Sequence, residues 1–193
     1  MNRKGPYEVT FRSLRLVEPV ESEVRQAAAE LAGWYSDPVN MRLMTATAPM
    51  SPSEVEEWYA EKRARRERTF LIRDGQVLVG DADFRNITHS SAEFAIMIGN
   101  AERRGKGLGT RAAIALHRLA FLELGMKSLC LSVSPFNTAA IRSYRKLGYV
   151  EEAVKGGTAP DEPEDVTMKV ELAAFLRLHG STAGEVVVAR RSL

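Results

Sequence analysis

Residues 94–110 read FAIMIGNAERRGKGLGT. Phe94, Ile96 and Ile98 alternate on one face, as in a half-buried strand, and then give way to a basic, glycine-dense turn. A helix-patterned run begins near Thr110. Strand, glycine turn and helix together present several free backbone N–H groups to a phosphate. The glycines let the chain approach closely, and the helix N-terminus adds partial positive charge. Arg103, Arg104 and Lys106 bring formal charge to the same spot.

Two familiar phosphate binders do not fit. A Walker loop needs Gly, four residues, then Gly-Lys-Ser/Thr, but Gly105-Lys106 is followed by Gly107, and Gly99 sits one residue too far upstream. The dinucleotide fingerprint needs a glycine where Thr110 stands and an acidic residue ending a second strand. Here 129–134 runs into Pro135 with no carboxylate.

What remains is Arg104-Gly105-Lys106-Gly107-Leu108-Gly109, and downstream of it NTAAIRSYRKLGY over 137–149. The first resembles the pyrophosphate-binding signature Gln/Arg-x-x-Gly-x-Gly/Ala of the GNAT superfamily of N-acetyltransferases. The second resembles the same family's Asn-x-x-Ala-x-x-x-Tyr-x-x-x-Gly-Phe/Tyr. The two occur in order, separated by a helix and a strand of suitable length. The resemblance covers about residues 8 to 172, with its sharp motifs inside 93–149.

Composition agrees with one ordinary globular unit. The 193 residues are 45% apolar and carry a net charge of only +2, spread along the chain, which argues against bulk nucleic-acid binding. The single cysteine, Cys130, excludes an internal disulfide and points to a reducing, cytoplasmic setting. There is no signal-peptide pattern and no apolar run of membrane-spanning length. His89, His117 and His179 lack metal-ligand spacing, so no metal is expected.

Along the chain, 1–6 reads as a frayed start, 8–17 as one strand and 21–34 as a helix broken by Pro38. Ser51-Pro52-Ser53-Glu54 is a capping box opening a helix to about Arg66, whose stripe is Val55, Trp58 and Tyr59 and whose tail is basic. A hairpin follows, 69–73 and 76–84 about an Asp74-Gly75 turn, and 92–98 completes a meander. A helix over 110–124, a strand over 127–133, a helix from Asn137 to Leu147 and a strand over 149–154 come next. After a polar loop, 155–165, a last strand spans 166–170. The tail, 173–193, is open between an added helix or strand, a dimer contact and disorder.

The expected architecture is therefore α/β (α+β), with one acetyltransferase domain over 1–172. The resemblance implies a mixed sheet of about six to seven strands, splayed between the fourth (92–98) and fifth (127–133), and about four flanking helices. It also implies acetyl-CoA as co-substrate, held by Arg103, Arg104, Gly105, Lys106, Gly107, Leu108, Gly109 and Thr110. Backbone N–H groups at Met97, Ile98 or Gly99 would receive the developing oxyanion, and Asn137 would bond the pantetheine or start its helix. Tyr144 matches the tyrosine beside the thioester sulfur, and Glu93, interrupting an apolar strand, is the candidate base, acting directly or through water.

On the acceptor side, Trp34 follows the first helix and either borders the cleft or packs helix on sheet. Asp81 and Asp83 share one face of their strand and either hold a cationic amine or face solvent. The expected activity is N-acetylation of a primary amine by direct attack in a ternary complex, on a small amine or amino-sugar. A protein N-terminal acetyltransferase acting on a peptide N-terminus and a non-catalytic acyl-CoA sensor are the alternatives. Family habit allows a homodimer, and neither nucleic acid nor membrane is an expected partner.

Overall fold

The computed structural model describes residues 5–44, 48–152 and 165–192. Among them are nine strands and six α-helices. The first expected strand is two, β1 (Tyr7–Phe11) and β2 (Leu14–Val17), because Arg12 adopts a left-handed φ of 57° and Phe11 pairs back on Leu14. Helix α1 (Glu21–Tyr35) buries Val24, Ala27, Ala28, Leu31 and Ala32, one stripe at helical spacing. Pro38 ends α1 but also opens an unexpected helix, α2 (Pro38–Met44). Asp37 Oδ1 accepts the N–H groups of Val39 and Asn40 at 3.1 and 3.0 Å, and proline suits the first helical position.

Helix α3 (Pro52–Ala64) starts at the predicted box: Ser51 Oγ accepts from Glu54 N, and Glu54 Oε2 accepts from Ser51 N at 2.7 Å. Strands β3 (Arg68–Asp74) and β4 (Val77–Arg85) form the hairpin, with Asp74 paired to Val77, so the turn is Gly75-Gln76 and not Asp74-Gly75. Then come β5 (Ser91–Met97), α4 (Leu108–Arg118, continued by a wider π turn over Leu119–Glu123), β6 (Ser128–Val133) and α5 (Thr138–Lys146). Short β7 (Val150–Glu151), β8 (Val166–Glu171), α6 (Leu172–Gly184) and β9 (Val187–Arg190) complete the chain. Of the strand expected over 149–154, the described residues show Val150–Glu151, and 153–154 lie outside them, as do 155–164 of the polar loop and 1–4 of the expected frayed start.

The sheet order is β7-β8-β6-β5-β4-β3-β2-β1-β9, antiparallel throughout except for parallel β5 and β6. The strand and helix numbers exceed the expectation because β1 and β2 are separate, α2 is present, and the tail adds α6 and β9. Helices cover both faces. One core joins α4, α6 and the sheet through Phe84, Phe94, Leu116, Phe121 and Phe175. The other packs α1 and α3 through Leu31, Val55 and Tyr59 on Leu71 and Leu78.

A bulge in β4 decides which face the site uses. Ile72 pairs with Gly80 but Arg73 with Leu78, leaving Val79 as the extra residue. A bulge shifts the alternation by one position. Leu78 therefore shares the α1–α3 face with Asp81 and Asp83, while Val79 and Phe84 enter the other core.

Candidate active site

Strands β5 and β6 pair only over Ser91–Glu93 and Ser128–Cys130. Beyond that, β5 continues against β4 alone, and β6 against β8. The strands part, and a cleft of about 280 Å³ opens between them. Phe94 to Met97 lie on one side, Ser132 to Ser134, Asn137 and Tyr144 on the other, and Tyr35 of α1, Trp58 of α3 and Met50 just before α3 cap it.

Its floor is a ladder of cross-strand pairs on one face: Asp81 opposite Met97, Asp83 opposite Ala95, Arg85 opposite Glu93. Both aspartates line the cleft and are buried, at 4% and 5% exposure. Asp81 Oδ2 accepts hydrogen bonds from the hydroxyls of Tyr35 and, at 3.1 Å, Tyr59. Desolvation raises its carboxyl to about 7, against the pull of the two tyrosine bonds. Asp83 is also raised by burial, opposed by Arg85 and Lys62. Lys62 Nζ is 3.7 Å from Asp83 Oδ1 and 2.8 Å from Glu67, and Arg85 Nε is 3.3 Å from Asp83. Asp81 and Asp83 thus face the cleft and not solvent.

Tyr144 sits on the second turn of α5, buried in the cleft wall with its ring 5.5 Å from that of Tyr149. Burial pushes its phenol up to about 12, so it is protonated near neutrality, while the Arg85 cation acts the other way. Glu93 stands at the end of the ladder where β5 and β6 still pair, and is not a lining residue. Its Oε1 is 3.3 Å from Arg85 Nε, and its Oε2 accepts from Asn86 Nδ2 at 2.8 Å.

The glycine turn runs from the end of β5 through a 3-10 turn, Ala101–Arg103, into α4. Gly107 precedes the helix at φ 72°, a backbone region that side chains disfavour, and no side chain caps α4. The first N–H groups of the helix are thereby left for an anion. Lys106 is exposed beside them. Arg103 is 3.1 Å from Asp74, and Arg104 bonds the carbonyls of Ile98 and Gly99 through Nε and Nη2, both at 2.9 Å, and Asn40 Oδ1 at 2.7 Å. Asn137 Oδ1 caps α5 by accepting from Ala140 N at 3.1 Å, and Asn137 also lines the cleft. Trp34 does not line it. Its indole packs against Gly99, where a Cβ would come within 2.1 Å of the ring.

Tyr35, Tyr59, Lys62 and Arg85 are the site-forming residues that sequence reasoning passed over. Val55, Tyr59 and Lys62 follow helical spacing on the buried side of α3, and a lysine on that stripe was the available signal for a buried carboxylate partner. Among the described residues, no group of three or more His, Cys, Asp or Glu is arranged to hold a metal. None of the described helices is long and apolar enough to cross a membrane.

The model of the Acetyltransferase (GNAT) domain matches residues 14–150, and the chain belongs to that family. Spermidine N(1)-acetyltransferase of Escherichia coli (strain K12) is 45% identical over 89 residues, covering 45% of this chain and 47% of that protein. Aminoglycoside N(6')-acetyltransferase type 1 of Klebsiella pneumoniae is 37% identical over 67 residues, 35% of this chain and 32% of that protein. The matched part of the chain spans about half, or less, of the length of these curated relatives. A solved structure of spermidine N-acetyltransferase from Vibrio cholerae, in complex with CoA and spermine, superposes with a TM-score of 0.72. It is 26% identical and covers 86% of this chain and 99% of that one.

Proposed function

We propose that this chain is an acetyl-CoA-dependent N-acetyltransferase acting on a primary amine of a small molecule, an aliphatic amine or amino-sugar. The observation that carries the reading is the parting of β5 from β6 after Glu93 and Cys130. It leaves one cleft with a protonated phenol on one wall and buried carboxylates on its floor. The similarity to spermidine and aminoglycoside acetyltransferases supports the same acceptor class.

The uncapped start of α4 and the Lys106 charge fit a pyrophosphate, and a gap between strands fits an extended thiol-bearing arm. Acetyl-CoA would supply the acetyl thioester. Backbone N–H groups where β5 ends, at Met97, Ile98 or Gly99, would donate to the carbonyl oxygen as charge develops on it. Tyr144 gives its hydroxyl proton or a hydrogen bond to the departing sulfur. Asp81 and Asp83 put carboxyl oxygens on the floor, where they favour an acceptor that carries N–H donors.

The test is mass spectrometry of a mixture of protein, acetyl-CoA and candidate amines. Appearance of one acetylated amine, dependent on the protein, supports the reading. An unchanged mixture across all amine classes overturns it.

A further inference from the structure

The acceptor amine enters as an ammonium ion and cannot attack until it loses a proton. Three carboxylates stand along the β4–β5 ladder, successively farther from the end of β5: Asp81 opposite Met97, Asp83 opposite Ala95, and Glu93 opposite Arg85. Directly opposed residues lie about 5 Å apart. Each residue along a strand adds roughly 3.4 Å, which puts Glu93 about 14 Å from Met97. A proton acceptor must lie within about 3 Å of the proton's donor atom, or one water away. Glu93 is also engaged by Arg85 and Asn86. Asp83 is shared between Lys62 and Arg85.

We propose that Asp81, held by Tyr35 and Tyr59, is the group that takes the proton from the acceptor ammonium, in place of Glu93. The proposal rests on the acetyl-transfer reading above. Asp81 lies across from the last residue of β5, where the backbone donors of the site begin. Both tyrosine hydroxyls converge on Oδ2 from two different helices, α1 and α3, which holds the carboxyl in place on the cleft floor. No cation reaches Asp81 among the described ion pairs, so it is a buried carboxyl tuned by neutral donors. A salt-bridged carboxylate would be a poor base.

The proton balance closes. Asp81 takes one N–H proton and becomes a carboxylic acid, and the freed nitrogen lone pair forms the C–N bond while the C–S bond breaks. The nitrogen sheds a second proton as the amide forms. Tyr144 gives its proton to the departing sulfur and is restored by that second nitrogen proton, while Asp81 passes the first to solvent. The charged or titratable groups facing Asp81 are Tyr35 on α1, Tyr59 on α3 and Asp83 on its own strand, with Lys62 of α3 behind Asp83. Burial brings its titration to about 7, where a base is most effective near neutral pH.

Two readouts test this. In the free protein, the tyrosine difference spectrum should titrate near pH 7 and lose that transition in Asp81→Asn. In turnover, kcat/KM should fall on the acid side with the same midpoint. Asp81→Asn should abolish that limb and cut kcat by about 10²-fold or more, while calorimetric binding of acetyl-CoA stays intact and reports a folded protein. Tyr59→Phe removes a donor to the carboxylate and should move the limb to higher pH. The proposal is overturned if the limb survives in Asp81→Asn, if it disappears in Glu93→Gln instead, or if Asp81→Asn raises only the KM for the amine. A wild-type protein that binds acetyl-CoA and turns over no amine overturns the transfer reading itself, whatever the free-protein titration shows.

Discussion

Arg104 Nη2 lies 2.7 Å from Asn40 Oδ1, and the same guanidinium bonds the carbonyls of Ile98 and Gly99. An arginine in the glycine motif is therefore a clamp between α2 and the end of β5, whereas the neighbouring Lys106 is exposed. The two should separate on substitution. Hydrogen bonds from a charged group each contribute about 1.5–3 kcal/mol, so Arg104→Ala should lower the melting temperature by several degrees. Lys106→Ala should leave the melting temperature alone and weaken calorimetric binding of acetyl-CoA by roughly tenfold, with a reduced salt dependence.

Tyr144 lines the cleft wall with a phenol protonated near neutrality. Tyr144→Phe keeps the ring packed on Tyr149 and removes only the hydroxyl. Turnover should fall by about 10²-fold while acetyl-CoA binding changes little. A protein that only sensed acyl-CoA would show neither the turnover nor its loss.

Lys62 is 7% exposed between Glu67 and Asp83. Lys62→Ala leaves Glu67 without its cation and Asp83 with Arg85 alone, and removing one partner of a buried ion pair typically costs about 3–5 kcal/mol. Urea unfolding should show it as a lower midpoint with an unchanged slope. The deficit should shrink in acid, where Asp83, already raised by burial, takes up a proton.

His117 is buried in an aromatic cluster, its Nε2 2.8 Å from the Tyr149 hydroxyl, and burial lowers its titration to about 3. An unfolded chain takes up that proton near pH 6.5 and the native one does not. The stability contributed by the neutral ring is therefore complete above about 6.5 and is lost as pH falls towards 3. His117→Phe should cost about 1–3 kcal/mol at neutral pH by stranding the Tyr149 hydroxyl. Its stability should then fall less steeply than that of the wild type through the acid range, as read by thermal melts at stepped pH.

Local patterns made much of the fold readable. The alternation of Phe94, Ile96 and Ile98, the Ser51 box, the stripe of α4 and the glycines at its start each signal an element without reference to the rest of the chain. Where the sequence fell silent, the cause was tertiary. The bulge at Val79, which turns Asp81 and Asp83 towards α1 and α3, leaves no mark in β4 beyond Gly80. Tyr35 and Tyr59 read as packing residues because their shared partner is 46 and 22 positions away in the chain. Val187 and its neighbours were ambiguous because a short β-prone run becomes a strand only when an edge such as β1 is free to receive it.

The proposed function requires the cleft between β5 and β6 to move an acetyl group onto an amine. Thiol release from acetyl-CoA across polyamines, aminoglycosides, amino-sugars, amino acids and N-terminal peptides, beside calorimetric titration of acetyl-CoA, tests it most directly. Binding together with thiol release for one small-amine class is the predicted result. Failure to bind acetyl-CoA, or binding with no thiol release from any amine, would contradict it.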